Sequence, residues 1–200
     1  MTESLSVESI LDHWHRQGHI SRPGQLAEFL ANRTPLDFAA QDTLVHAGSQ
    51  STLLFFVHSG LLRLFYTSAD GKERNKAFFG PGHFVGPVSA AITGNAAPFT
   101  IQALEDTTVL AIDFHKLYAA APADPELGKS VIALLSEAFI RNEQREAILL
   151  TGNAEQRYRW LEANEPELLA KLPQFHIASY LGVDAVSLSR LKRKLKQETL

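Results

Sequence analysis

The sequence predicts an α+β fold: N-terminal helices, a jelly-roll-like β-roll, one long helix, and a C-terminal helical domain of the helix-turn-helix kind. Three observations point there. Short β-type runs separated by glycine and turn residues fill Leu44 to Ile112, a spacing that suits a sandwich or roll. A stretch rich in helix formers follows, with no glycine or proline between Gly128 and Leu150. The chain then runs into "HIASYLGVDAVSLSRLKRKL", residues 176–195, which gathers Arg190, Lys192, Arg193 and Lys194 and has no acid after Asp184.

Taken in order, residues 5 to 32 read as helix in two pieces, broken around Ser21-Arg22-Pro23-Gly24. The β-type runs are LLFFVHSG, GLLRLFYT, KAFFGPGHFVG, FTIQAL and TTVLAI, and Asp70-Gly71 between two of them marks a hairpin. A helix from about Asp124 to Leu150 would be roughly 40 Å long. It carries two apolar stripes. Leu127, Val131, Leu134 and Ala138 form the first, read as packing on the roll. Ile132, Leu135, Phe139, Asn142 and Leu149 form the second, read as a self-pairing seam in which polar Asn142 fixes register. A single wide face buried in one domain is the alternative. Gly152 ends this helix, and Asn153 with Gln156 forms a capping-box pair for the next, AEQRYRWLEANEP. That junction is the candidate hinge.

Composition bounds the function. With 200 residues, 45% hydrophobic and 20% charged, the chain is ordinary for a globular protein of one large or two small domains. No apolar run reaches the length of a membrane span, no secretory-type N-terminus is present, and a cytoplasmic location is expected. Cysteine is absent, which excludes disulfides and cysteine-held iron–sulfur clusters. From Lys171 onward six basic residues face only Asp184 and Glu198, a net of +4; the whole chain is −3, so residues 1 to 170 carry −7. A basic tip on an acidic body suits a polyanion partner, or else a solvated lysine-rich helix.

The C-terminal stretch decides between these. Ile177 and Leu181 supply the buried face of a first helix, Ala178 the small residue where two helices cross, and Gly182 a turn position tolerant of positive φ. Val183 plugs the turn; Leu188, Leu191 and Leu195 form the buried stripe of a second helix. At 100° per residue, the opposite face holds Val186, Ser187, Arg190, Arg193 and Lys194, with Ser189 beside them. Arginine can bind guanine bidentately, a hydroxyl can reach phosphate or base, lysine neutralises phosphate, and an apolar side chain suits a thymine methyl group. The alternative is an ordinary helical hairpin with a solvated basic face.

The order of parts resembles the CRP/FNR superfamily of bacterial transcription regulators, over about Leu44 to Leu195. The resemblance rests on "FFVHSGLLRLFYTSADGKE", "GPGHFVGPVSAAITGNAAPFTIQALEDTTVLAI" and "IASYLGVDAVSLSRLKRKL". It implies a cyclic-nucleotide-binding-like sensor domain over 1–122, a dimerisation helix over 123–151, and a DNA-binding helix-turn-helix domain over 152–200. It implies as partners a near-palindromic double-stranded operator, a second copy of the chain, RNA polymerase and a small-molecule effector, with no membrane and no enzymatic activity. By analogy Ser187, Arg190 and Arg193 match positions that touch base edges and phosphate; Val186 departs from the charged residue often found there.

A second departure concerns the effector. Members that bind cyclic nucleotides hold the ribose with a Gly-Glu pair and the phosphate with Arg-Ser eleven residues after the glycine. Here Gly86 is followed by Pro87, and Ala97 and Pro98 stand where Arg and Ser belong. Asn142 and Glu143 fall where the long helix touches the ligand. A cyclic phosphate finds no guanidinium among them, and Glu143 repels it, so cyclic AMP is not expected to bind and no cofactor is expected.

Some relatives sense gases through histidine-held haem. The eight histidines, His13, His15, His19, His46, His58, His83, His115 and His176, are scattered and read as structural or surface residues. Haem or a small apolar effector, a protein–protein adaptor that does not bind DNA, and a metal-dependent jelly-roll enzyme are the alternatives. The last lacks a His-x-His motif with a spaced glutamate, and no metal site is expected.

Overall fold

The computed structural model describes residues 34–198. The helices expected over residues 5–32, with His13, His15 and His19, lie outside the described residues. Eight strands come first: β1 (Leu36–Phe38), β2 (Thr43–Val45), β3 (Leu53–Ser59), β4 (Leu62–Thr67), β5 (Glu73–Phe79), β6 (Phe84–Val85), β7 (Thr100–Ala103) and β8 (Thr107–Asp113). Among the described residues seven α-helices are interspersed or follow: α1 (Val88–Thr93), α2 (Phe114–Ala120), α3 (Pro125–Thr151), α4 (Ala154–Asn164), α5 (Pro166–Lys171), α6 (Gln174–Leu181) and α7 (Ala185–Glu198), with a 3-10 turn at Ala121–Ala123.

The strands form two four-stranded sheets, ordered β1-β8-β3-β6 and β2-β7-β4-β5. β3 and β8 are the central antiparallel pair of the first, with Phe55 opposite Ala111 and Phe56 opposite Leu110. Each carries an unbroken apolar run, Leu53 to Val57 on β3 and Val109 to Ile112 on β8. Leu54, Phe55 and Val57 on β3 and Val109, Leu110 and Ile112 on β8 are essentially inaccessible, which is the pattern of strands covered on both faces. The Asp70-Gly71 signal falls in the β4–β5 hairpin, where the Ser68 N–H donates to the Lys72 carbonyl at 3.0 Å. β1 and β2, each three residues long, are too short to show a period in the sequence.

Two compact units emerge. The first takes in residues up to Leu64 and Phe78–Glu137. Its core joins Leu54, Phe56, Leu110, Ile112, Phe114 and Leu117 to Leu127, Val131 and Leu134 of α3, the stripe read from the sequence as roll-facing. The second gathers Phe65–Ala77 and Ala138–Leu200. Within it α4, α6 and α7 touch one another pairwise, and Tyr158, Leu161, Leu172, Ile177, Leu181 and Leu188 are buried.

Phe114 is fully buried, so Phe114→Ala is expected to cost about 3–5 kcal/mol in urea denaturation. Leu36, 40% exposed, should change stability by less than about 1 kcal/mol when cut to alanine.

Candidate nucleic-acid interface

α6 ends at Gly182, which takes a left-handed conformation at φ 66°, and its N–H bonds back into the last turn of the helix. Only glycine adopts this at no steric cost. Asp184 then caps α7: its carboxylate accepts the Ser187 N–H at 2.8 Å and also the Ser187 hydroxyl. These bonds, the hydroxyl's first, hold the Asp184 carboxyl below the usual aspartate range.

α7 is sharply two-sided. Leu188 is 1% exposed, and Leu191 and Leu195 are half-buried, while Val186, Ser187, Ser189, Arg190, Arg193 and Lys194 are exposed. Val186 leaves 60% of its surface open among these cations. Arg190 and Arg193 make no hydrogen bond or ion pair among the described residues. Two members of the set are engaged. The Ser187 hydroxyl gives its proton to Asp184, so in this geometry it can accept from a base but cannot donate to a phosphate. Lys194 reaches the Glu155 carboxylate of α4 at 3.4 Å; that carboxyl is held low by Arg159 first, with Lys194 adding to it.

The base of this helical set is tied by a residue the sequence reading passed over. Arg157 on α4 donates from Nε to the Gly152 carbonyl at 2.9 Å, from Nη1 to Leu181 at 3.0 Å, and from Nη2 to Leu149 at 2.7 Å. One guanidinium thus satisfies carbonyls at the ends of α3 and α6 that have no partner within their own helices. The capping box predicted at the same junction is formed: Asn153 Oδ1 accepts the Gln156 N–H at 3.0 Å and Gln156 Oε1 accepts the Asn153 N–H at 2.9 Å. Nothing in the spacing of Arg157 marks it, since its acceptors are backbone atoms.

Of the other candidate positions, Gly86, Pro87, Ala97 and Pro98 belong to the first unit and Asn142 and Glu143 to the second. Gly86 lies against the backbone of β3, where an added Cβ would stand 2.6 Å from the Leu53 carbonyl oxygen. Pro87 and Ala97 are buried and Pro98 is exposed; the Ala97 N–H donates to Ser49 and its carbonyl accepts from Gly48, both at 2.8 Å. Asn142 and Glu143 are exposed on α3, and Lys76 Nζ donates to Asn142 Oδ1 at 3.2 Å. Burial first, then Arg141 and Arg145, push the Lys76 ammonium down to about 8. Along the proposed pairing seam, Ile132 and Phe139 are 65% and 66% exposed. Leu135 leans on the core of the first unit and Leu149 is half-buried, while Leu150, outside the expected seam, is 77% exposed.

The described histidines do not converge. His83 Nδ1 meets backbone carbonyls of its own turn, and His115 Nδ1 that of Ala91. Among the described residues no group of three metal-ligating side chains occurs, and no helix is long and apolar enough to cross a membrane.

A roll of two antiparallel sheets, a long helix and a helix-turn-helix with an outward basic face define a class, and comparison with known proteins agrees with it. Residues 35–122 match the cyclic nucleotide-binding domain family. The transcriptional activator protein FnrA of Stutzerimonas stutzeri is 28% identical over 172 residues, covering 80% of this chain and 69% of that one. The cyclic AMP receptor protein of Thermus thermophilus is 27% identical, covering 78% and 73%. Among solved structures, FixK2 of Bradyrhizobium japonicum superimposes with a TM-score of 0.71 at 19% identity, covering 84% of this chain and 86% of that one. Over most of its length the chain is thus similar to regulators of the CRP/FNR kind.

Asp184→Ala is expected to lower the thermal midpoint at pH 7, because α7 loses its cap. The sign with pH follows from the depressed carboxyl: its contribution is present above the ordinary aspartate range and is lost as the pH falls through the folded value. The gap between variant and parent in thermal scans should therefore close in acid.

Proposed function

We propose that this chain is a homodimeric, sequence-specific DNA-binding transcription regulator that reads its operator with α7. The observation that carries this is the exposed set Val186, Ser189, Arg190 and Arg193, opposite the leucines that anchor the helix. Arg190 and Arg193 supply bidentate donors for guanine or phosphate, and Val186 supplies an apolar contact for a thymine methyl group. Ser187, with its proton held by Asp184, serves as an acceptor. Lys194 exchanges Glu155 for a phosphate and contributes to the salt dependence.

Pairing runs along α3. Ile132, Phe139 and Leu150 are large, apolar and exposed; they recur at intervals close to the period at which two helices mesh. Two copies joined there would present two reading helices, which must lie about 34 Å apart to enter successive major grooves of one duplex face. A signal acting on the roll would shift the pairing of α3, and the Gly152–Asn153 junction would convert that into reader spacing.

The effector differs from a cyclic nucleotide. Neither Pro87, Ala97 nor Pro98 offers a charge or a hydroxyl to a ribose phosphate, and no cofactor is invoked. Titration calorimetry with cyclic AMP is expected to show no binding at micromolar concentrations; a micromolar dissociation constant would overturn this part of the reading.

The DNA-binding reading is tested on duplexes selected from a random pool. Arg190→Ala is expected to lose about 1–3 kcal/mol and relax discrimination at one base position. Lys194→Ala should weaken all sequences alike and flatten the slope of affinity against salt by about one. Unchanged affinity and slope in both variants would remove α7 as the reader.

A further inference from the structure

The second unit contains a buried polar contact that DNA reading does not use. Asn75, on β5, is 3% exposed, and His176, on α6, is 6% exposed. Asn75 Nδ2 lies 3.1 Å from His176 Nδ1 and 3.1 Å from the His176 carbonyl oxygen. The Asn75 N–H donates to Ser179 Oγ at 3.0 Å, whose hydroxyl donates to the Glu73 carbonyl at 3.3 Å. Arg145 Nη2 donates to the carbonyls of Asn75 at 3.1 Å and Tyr180 at 2.8 Å, and its guanidinium lies 4.4 Å from the Tyr180 ring centre. The hairpin strand, α3 and α6 are thus held together, and α7 packs on α6.

We propose that Asn75 is a positioning residue for the reading helix, fixing α6 through His176 so that DNA binding weakens in mild acid. The proposal rests on the DNA-binding reading and adds a control to it. The chemistry is one of hydrogen count. An amide nitrogen carries two protons; one goes to the His176 carbonyl and the other to Nδ1, so Nδ1 is an acceptor and the imidazole is neutral with its proton on Nε2. Protonation of Nδ1 sets two donors face to face in a buried site. Turning the amide over brings Oδ1 to Nδ1–H but also against the His176 carbonyl. Either arrangement loses a bond.

The charged and titratable groups on the elements packed around it are Glu73, Arg74 and Lys76 on β5, Arg141, Glu143, Arg145 and Glu146 on α3, Glu155, Arg157, Tyr158, Arg159 and Glu162 on α4, Glu165 between α4 and α5, Tyr180 on α6, and Arg190, Lys192, Arg193, Lys194 and Lys196 on α7. The amide proton directed at Nδ1 makes the neutral ring the form that fits this contact. Once the contact opens, α6 and α7 gain freedom that the duplex must remove again on binding, and affinity falls.

The test has two arms. Without DNA, a long-range proton–nitrogen spectrum of the intact chain should show His176 protonated at Nε2 alone near pH 7.5 and at both nitrogens in acid. With a duplex selected from a random pool, at constant ionic strength, affinity should drop about fivefold from pH 7.5 to 5.8, the weight of one hydrogen bond. His176→Gln, checked for folding by circular dichroism, should lose that drop. Asn75→Asp, whose carboxylate pairs with a protonated imidazole by charge as well as by hydrogen bond, should lose less affinity between pH 7.5 and 5.8 than the parent. An Nδ1–H tautomer at pH 7.5, an equal drop in parent and His176→Gln, or tighter binding in acid would overturn the proposal while leaving DNA binding intact. Failure to select any duplex would overturn both.

Discussion

The exposed basic face depends on how α7 is rotated about its own axis. A helix of fourteen residues with leucines at 188, 191 and 195 and cations between them has one comfortable setting. Burying a leucine side chain is worth about 1.5–3 kcal/mol, whereas burying an unpaired guanidinium costs several. Both terms turn the helix the same way. The outward position of Arg190 and Arg193 is therefore a consequence of packing Leu188 against α4 and α6. A substitution that weakened the leucine side would disturb the basic side without touching it.

The same side-chain type serves opposite ends in this unit. Arg145 and Arg157 turn inward and donate to backbone carbonyls, while Arg190 and Arg193 stay out. Inward guanidinium groups are tolerated because each meets oxygens already aligned at helix ends or on a strand, where an acceptor is otherwise left over. The basic excess of the C-terminal segment is thus separate from the cations that hold the fold. Lys194 sits between the two uses, paired with Glu155 on the surface, where such a pair is weak enough to exchange.

Gly86 illustrates how one position can have two explanations. Members of the family that bind cyclic nucleotides have glycine here beside their sugar-binding acid, and in this chain the acid position holds proline. The glycine has a separate cause: the β3 backbone passes so close that a methyl group would meet the Leu53 carbonyl. Packing alone accounts for it. Its presence therefore says nothing about a ligand.

The local signals in the sequence were strong wherever a residue acts on its near neighbours. The Asp70-Gly71 hairpin, the Asn153–Gln156 capping box, the Gly182 turn and the two faces of α7 all follow from contacts a few residues apart, and composition exposes such contacts. β1 and β2 were not legible, being too short for a period, and neither was the outward turn of Leu150 beside a half-buried Leu149. Only the tertiary structure could show that Arg157 joins three carbonyls, that Lys194 meets Glu155, or that Asn75 meets His176 across 101 residues. These are long-range bonds, many to backbone atoms, which every residue carries alike. A one-dimensional pattern has no mark for them, because the chain must fold before donor and acceptor become neighbours.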